Sequence, residues 1–185
     1  MKTEHKLVEA LKEMMSVMPL DSISVSSLSA KCDINRKTFY YHFHDIYDLL
    51  TQAFLDEKIE GLNAVSNPQQ LLIVIHKYYM NNRGFVDGTL ASAGKDLFKE
   101  FVYNNCYNAF LKMINGCPSA KKVHASDKKI VVRFYTSGFA DAIVFFLNNS
   151  RSKDINGLKN YVAFLGDNFL EDALQNVIEI KEKKL

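Results

Sequence analysis

Residues 23–50 read ISVSSLSAKCDINRKTFYYHFHDIYDLL, and this stretch decides the fold. Apolar side chains recur at helical spacing on both sides of a short break at residues 33–35. Asn35 is a residue type that caps helix N-termini, so a new helix is predicted to begin directly after it. The break is too short to let the two flanking helices pack side by side in antiparallel directions. The two helices are therefore expected to cross steeply, as in a helix-turn-helix.

The helix predicted after Asn35 has one apolar face and one polar face. Phe39 and Phe43 are four residues apart and are predicted to point into the core. The opposite face combines two cations, hydroxyl groups and an imidazole without a carboxylate: Arg36, Lys37, Thr38, Tyr40, Tyr41 and His42. Such groups can donate to phosphate oxygens and to guanine O6 and N7 in a major groove. On periodicity alone, an ordinary amphipathic helix remains the alternative.

The same stretch resembles the DNA-binding domain of TetR/AcrR-type transcriptional regulators. The resemblance rests on four parts of the stretch. They are the pair Leu28 and Ser29, the turn at residues 32–34, the polar segment 36–38 that opens the next helix, and the Phe-Tyr-Tyr-His-Phe motif of residues 39–43. The Tyr-Asp-Leu that follows is similar to the DhaS-like subgroup, which contains regulators of dihydroxyacetone kinase. Outside residues 23–50 the chain resembles the family only in the number and length of its helices.

The resemblance implies a DNA-binding role for each matching position. Tyr40 and His42 would contact phosphates, and Arg36 would be the main reader of guanine. The whole implied set is Ser26 and Ser27 at the start of the preceding helix, then Asn35, Arg36, Lys37, Thr38, Tyr40, Tyr41 and His42.

Two positions depart from the family pattern. Asp33 stands where the family has a turn glycine, and Asp tolerates a left-handed conformation better than most residues. Ile46 stands where a lysine usually opens the next helix and meets a phosphate. We expect the backbone N–H groups of that helix N-terminus to remain available to a phosphate.

The remaining sequence is also helical in pattern, so the predicted fold class is all-α. It comprises an N-terminal three-helix helix-turn-helix DNA-binding domain, residues 1–50, and a larger C-terminal helical bundle for ligand binding and dimerisation, residues 51–185. Pro19 is expected to stop the first helix and Pro68 to open another.

Four helix boundaries are predicted from capping and periodicity. Ser26 is a plausible N-cap of the second helix, and the fourth helix should run from His44 or Asp45 to about Val65. Ser126 should cap a helix that reaches about Asn148. A single last helix should start at Asp154 or Asn156 and carry Leu158, Val162, Leu165, Phe169 and Ala173 on one stripe.

The resemblance also implies a dimer and a small-molecule effector. Ser137 and Gly138 allow close helix approach, and with the last helix they would form a four-helix interface across a two-fold axis. Aromatic side chains of the middle helices suit an apolar ligand, and the candidate pocket residues are His76, Tyr79, Phe98, Phe101 and Tyr107. Ordinary intrachain core is the alternative for both features.

Composition excludes several classes of protein. The chain has 185 residues with 23 Lys and Arg against 21 Asp and Glu, so it is not a bulk electrostatic binder of nucleic acid. Residues 1–50 hold six basic and seven acidic residues, which makes the candidate DNA-binding part the less basic one. Three cysteines without CxxC spacing predict reduced thiols in a cytoplasmic protein, without a metal site. Apolar runs are too short for a membrane span.

No catalytic or cofactor motif is present in the sequence, so the protein is predicted not to be an enzyme and to need no cofactor. The function that the family resemblance implies is a ligand-responsive repressor that binds an inverted-repeat operator as a homodimer. The alternative is a helical sensor or co-regulator that acts through a protein partner and binds DNA weakly.

Overall fold

A computed structural model describes residues 3–163, 165–166 and 168–183. Over those residues the regular structure is helical and contains no strand, which confirms the predicted all-α class. The α-helices are α1 (Thr3–Met15), α2 (Val25–Lys31), α3 (Arg36–His42), α4 (Ile46–Asp56), α5 (Pro68–Asn81), α6 (Arg83–Leu90), α7 (Lys95–Gly116), α8 (Ala125–Asn149), α9 (Ile155–Tyr161) and α10 (Phe169–Glu182). Short 3₁₀ turns cover Leu20–Ser22, Leu62–Ala64 and Pro118–Lys122.

The chain forms two compact units that alternate along the sequence. The first consists of Met1–Lys58 and Tyr78–Phe101, and the second of Ile59–Lys77 and Val102–Leu185. The functional division predicted at residue 50 stays a prediction.

The core of the first unit is built on α1. Its buried stripe includes Leu7, Leu11 and Met14, and α1 packs against α2, α4 and α6. Phe54 of α4 lies in an aromatic cluster, with its ring centroid 5.0 Å from that of Phe85. Burial of this many apolar side chains is the main force that holds the short helices α2 and α3 in place, because isolated helices of seven residues are not stable in water.

The second unit is organised around α8. Val132, Phe139 and Ile143 of α8 are buried, and Phe110 of α7 lies edge-on to Phe139 with the ring centroids 5.0 Å apart. Phe169 of α10 also lies edge-on to Phe110, with the ring centroids 5.5 Å apart. By length and composition alone α8 is also apolar enough to cross a membrane, and 44% of its most apolar stretch is buried inside the protein.

Four helix boundaries differ from the sequence prediction. α4 ends at Asp56 and not near Val65, because Glu57 adopts an extended backbone and its carboxylate binds Lys12 Nζ at 2.5 Å. The N-cap of α2 is Ser24 and not Ser26. The Ser24 hydroxyl accepts from the Ser27 N–H while the Ser27 hydroxyl accepts from the Ser24 N–H, a reciprocal capping box.

The N-cap of α8 is His124 and not Ser126, since the His124 ring accepts a hydrogen bond from the Ser126 N–H. The prediction of a single last helix is also wrong. The chain leaves the helical conformation at Val162, and α10 begins only at Phe169. Gly166 lies in the gap, where its low helix propensity favours an interruption.

Candidate nucleic-acid interface

The segment that joins α2 to α3 has the geometry of a tight helix-turn-helix connection. Asp33 has a φ of 51°, the left-handed conformation expected of the residue that replaces the turn glycine. The Ile34 N–H donates to the Ser29 carbonyl at 3.0 Å and so binds the turn back onto α2. The connection between α2 and α3 is therefore short, and the two helices pack against each other.

Asn35 acts as the N-cap of α3, as predicted. Its Oδ1 accepts from the Thr38 N–H at 2.8 Å and from the Thr38 hydroxyl at 3.1 Å. The amide oxygen of Asn35 is thus engaged inside the protein, although the side chain remains exposed. Thr38, whose hydroxyl is tied to the cap, is half-buried.

The two faces of α3 divide as the spacing predicts. Phe39 is fully buried and Phe43 nearly so. On the other side Tyr41 is 85% exposed and Tyr40 51% exposed, and the side chains of Arg36 and Lys37 face solvent. This exposed side, residues 36, 37, 40 and 41, is called the α3 donor face below. Its groups donate hydrogen bonds or carry positive charge, which matches the demands of a DNA groove.

Arg36 and Tyr40 are already associated. The guanidinium carbon of Arg36 lies 6.0 Å from the centroid of the Tyr40 ring, within the range of a weak cation–π contact. The contact restricts the Arg36 side chain to the outer side of α3 and so limits the entropy lost when it binds a base.

His42 lies at the end of the α3 donor face, in the last turn of the helix. Its Nδ1 is 3.2 Å from Oε1 of Glu4 on α1, and its ring meets the edge of Tyr41 with the centroids 5.1 Å apart. The sequence pattern of the helix-turn-helix does not indicate a role for Glu4. Only the packing of α1 places it beside His42.

Ser26 and Ser27 are both exposed at the start of α2. The Ser27 hydroxyl is hydrogen-bonded to Ser24 in the capping box. Of the two residues, Ser26 is therefore the better placed to donate its hydroxyl to a DNA phosphate.

Two carboxylates lie at the N-terminus of α4. The sequence predicted that this helix begins at His44 or Asp45, which the Asp45 cap confirms, but sequence reasoning missed the second carboxylate, Asp48. Asp45 is the N-cap and accepts from the Asp48 N–H at 2.9 Å, while Asp48 accepts from the His44 N–H at 3.0 Å. The Asp48 N–H, one of the backbone donors expected to remain available to a phosphate, is therefore engaged, and two carboxylates add negative charge beside the others. The Asp-x-x-Asp spacing of a capping box is the signal that could have indicated it.

The five candidate pocket residues fall into two groups. Phe98 and Phe101 pack with Phe54 at 5.9 and 5.3 Å in the first unit, where the Tyr79 hydroxyl donates to Asp87. In the second unit, His76 Nε2 lies 2.8 Å from the Lys153 carbonyl oxygen, and Tyr107 stacks on Tyr103. The assignment of these side chains to a ligand pocket stays a prediction.

Two open cavities of the second unit are lined by other residues. One, of about 580 Å³, includes Lys112, Cys117, Phe169 and Glu171. The hydroxyl of Ser119 donates to Glu171, and this bond together with the Ser119 N–H lowers the pKa of that carboxyl. The second cavity, of about 590 Å³, lies along α8.

The cavity along α8 adjoins an exposed apolar stripe. Phe134 is 75% exposed, Ile130 and Phe145 lie on the same side of the helix, and a Cβ added to Gly138 would meet nothing within 4 Å. These residues are called the α8 stripe below. Such an apolar surface on one helix is typical of a contact with another protein.

The cysteines are free thiols, and Cys32 and Cys106 are buried. Burial raises the pKa of the Cys106 thiol far above its usual range and raises that of Cys32 as well. These thiols are packing residues and not nucleophiles at neutral pH.

Comparison with known proteins agrees with the architecture. The TetR-type family model described as "Transcriptional regulator C-terminal region" matches residues 66–163. The solved structure of the "Dihydroxyacetone kinase operon activator DhaS" superposes with a TM-score of 0.61 at 21% identity, over 96% of this chain and 97% of that chain. The likeness to DhaS concerns the fold. No curated protein matches the sequence.

Proposed function

The chain belongs to the TetR family of transcriptional regulators, and from that premise we propose that it is a sequence-specific DNA-binding regulator that acts as a homodimer on an inverted-repeat operator. We also propose that a small-molecule effector controls its DNA binding and that the protein is located in the cytoplasm.

The α3 donor face is the observation that carries the proposal. Phe39 and Phe43 anchor α3 to the first unit, and the opposite side offers Arg36, Lys37 and two tyrosines to solvent. The guanidinium of Arg36 suits guanine O6 and N7, and the tyrosine hydroxyls and Lys37 suit phosphates. Acidic side chains are absent from α3 itself.

The α8 stripe supports the dimer. Exposed Ile130, Phe134 and Phe145 are costly to leave in water, and a two-fold axis would place each stripe against its copy. Two α3 helices related by such an axis would enter successive major grooves, which is why the operator is expected to be an inverted repeat.

The mode of regulation that we propose is repression released by a ligand that favours a dimer with its α3 helices wrongly spaced for the operator. DhaS, the structural neighbour, is named an operon activator. A reporter under the chain's own upstream DNA separates the two modes, because deletion of a repressor raises transcription and deletion of an activator lowers it.

DNA binding is tested with the duplex that lies upstream of the chain's own gene. Arg36→Ala should weaken specific binding by about 1–3 kcal/mol, because one bidentate base contact is lost. Arg83→Ala is the matched control, since Arg83 is an exposed arginine of the same unit that pairs with Asp87 on α6. Equal affinity of the parent for scrambled DNA at moderate salt would refute sequence-specific binding.

The dimer is tested by sedimentation. Phe134→Asp should produce a monomer, whereas Ile73→Asp, which charges an exposed apolar position on α5, should leave the dimer intact. A monomeric parent would contradict the proposed quaternary structure.

The carboxylates at the start of α4 favour the second candidate function, a sensor or co-regulator that acts through a protein partner. Asp45 and Asp48 disfavour a phosphate at a position where the family usually has a lysine, here Ile46. An Arg36→Ala variant that still regulates like the parent would favour this alternative.

A further inference from the structure

The contact between Glu4 and His42 determines where the imidazole carries its hydrogen. His42 Nδ1 lies 3.2 Å from Glu4 Oε1, and the side chains are 20% and 50% exposed, respectively. An ionised carboxylate only accepts hydrogen bonds. The hydrogen of this contact therefore belongs to Nδ1, which donates to Glu4.

That hydrogen bond limits what Nε2 can do. A neutral imidazole carries one N–H, so a ring with its hydrogen on Nδ1 presents Nε2 as an acceptor. Phosphate oxygens of DNA are also acceptors. His42 held by Glu4 can consequently donate to a phosphate only as an imidazolium with hydrogens on both nitrogens.

We propose that Glu4 is a positioning residue for His42 and that it couples DNA binding to the uptake of one proton at Nε2 of His42. The proposal rests on the proposed function, because it requires a phosphate at His42. The proton comes from solvent and binds Nε2, which donates it to the phosphate, while Nδ1 continues to donate to Glu4.

His42 lies in the last turn of α3, and groups from two helices contact its ring. Glu4 is the charged group that contacts the ring from α1, and from α3 the ring meets the edge of Tyr41. The exposed imidazoles nearest along the chain are His5, beside Glu4, and His44.

The experiment measures the affinity of the full chain for its upstream duplex from about pH 6 to pH 8 at constant ionic strength. The parent should lose affinity as the pH rises, by up to about tenfold per pH unit for each imidazole that takes up a proton. His42→Gln should remove this dependence, whereas His5→Gln and His44→Gln should preserve it.

Glu4→Ala is the decisive variant. Without the carboxylate, a neutral His42 can carry its hydrogen on Nε2 and donate to the phosphate, so the pH profile should flatten and the affinity at pH 8 should reach or exceed that of the parent. Glu9→Ala removes an equal charge from the same helix, at a residue whose partner is Lys12 at 3.9 Å. That control should keep the pH profile of the parent.

Two results would overturn the coupling while leaving the proposed function intact: a parent affinity that does not change with pH, or a Glu4→Ala profile as steep as that of the parent. A parent that binds no specific DNA at any pH would overturn both proposals together.

Discussion

Gly84 of α6 approaches Ser16 so closely that a Cβ on Gly84 would lie 2.8 Å from the Ser16 Cα. One turn further along α6, a Cβ on Gly88 would lie 3.4 Å from the Met15 carbonyl oxygen. α6 and the chain at the end of α1 are therefore so close that there is no room for a side chain at position 84. The same α1 contacts the helix-turn-helix through Glu4 and through Lys6, whose ammonium donates to the Cys32 carbonyl at the end of α2.

Gly84→Ala should destabilise the protein. Replacing glycine by alanine in an open helix normally stabilises by up to about 1 kcal/mol, but here the new methyl group meets backbone that cannot easily move. We expect a loss of about 1–3 kcal/mol in the free energy of unfolding, measured with urea. Gly116→Ala, at the open end of α7, should change it by less than about 0.5 kcal/mol. A Gly84→Ala variant more stable than the parent would refute the close approach.

Asp33→Gly should stabilise the protein. Asp33 holds a φ of 51°, which costs an L-residue energy that glycine does not incur. The expected gain is about 0.5–1 kcal/mol in the same unfolding experiment. Gly61→Ala makes the opposite change at a φ of 81° and should lose stability. If Asp33→Gly is no more stable than the parent, the turn carries no strain.

The salt dependence of DNA binding should be shallow. Lys31 is engaged by Glu13 at 2.8 Å and Lys6 by the Cys32 carbonyl, which leaves few cations for phosphates beyond Arg36 and Lys37. Each phosphate contact contributes about 0.9 to the slope of log K against log salt, so Lys37→Ala should reduce the slope by about one per protomer. Lys129→Ala, on α8, should leave it unchanged. A parent slope that corresponds to eight or more phosphate contacts per dimer would contradict this prediction.

Glu171 should make the second unit sensitive to acid. Its carboxylate accepts hydrogen bonds from the Ser119 hydroxyl, the Ser119 N–H and the Gln175 amide, and these lower its pKa below the usual 4.5. A depressed folded-state pKa stabilises the protein above the unfolded-state pKa, and this stabilisation is lost as the pH falls through the folded-state value.

The measurement compares the melting temperatures of the parent and Glu171→Gln between about pH 3 and pH 7. The parent should exceed the variant at neutral pH, and the difference should shrink below about pH 4.5. Asp172→Asn, an exposed neighbour, serves as the control for loss of charge alone. A difference that does not change with pH would exclude the ionised Glu171 as its cause.

Local signals were sufficient for the helix-turn-helix. The cap at Asn35 and the inward-facing Phe39 follow from residue type and spacing. The left-handed conformation of Asp33 was implied by the family resemblance, because the family has a glycine at that turn. Pro68 likewise opens α5, since a proline lacks the N–H that the first helical turn leaves unused. The residue types encode these features locally, and packing in the first unit keeps the short helices α2 and α3 folded.

Helix ends were less predictable from sequence. α4 stops at Asp56 because Glu57 turns toward Lys12, which is 45 residues earlier in the chain. α9 and α10 are separate although their apolar residues continue one period, because the period does not reveal where the backbone departs from the helix.

The sequence by itself determined that the chain is all-α. It also determined that the third helix buries Phe39, with Phe43 directly after it, and exposes hydrogen-bond donors on its other side. That pattern depends only on helical periodicity. Only the tertiary structure placed Glu4 against His42, Gly84 against Ser16 and Glu171 under Ser119. Such contacts join residues that are 38, 68 and 52 positions apart, and packing between helices, which periodicity does not encode, brings them together.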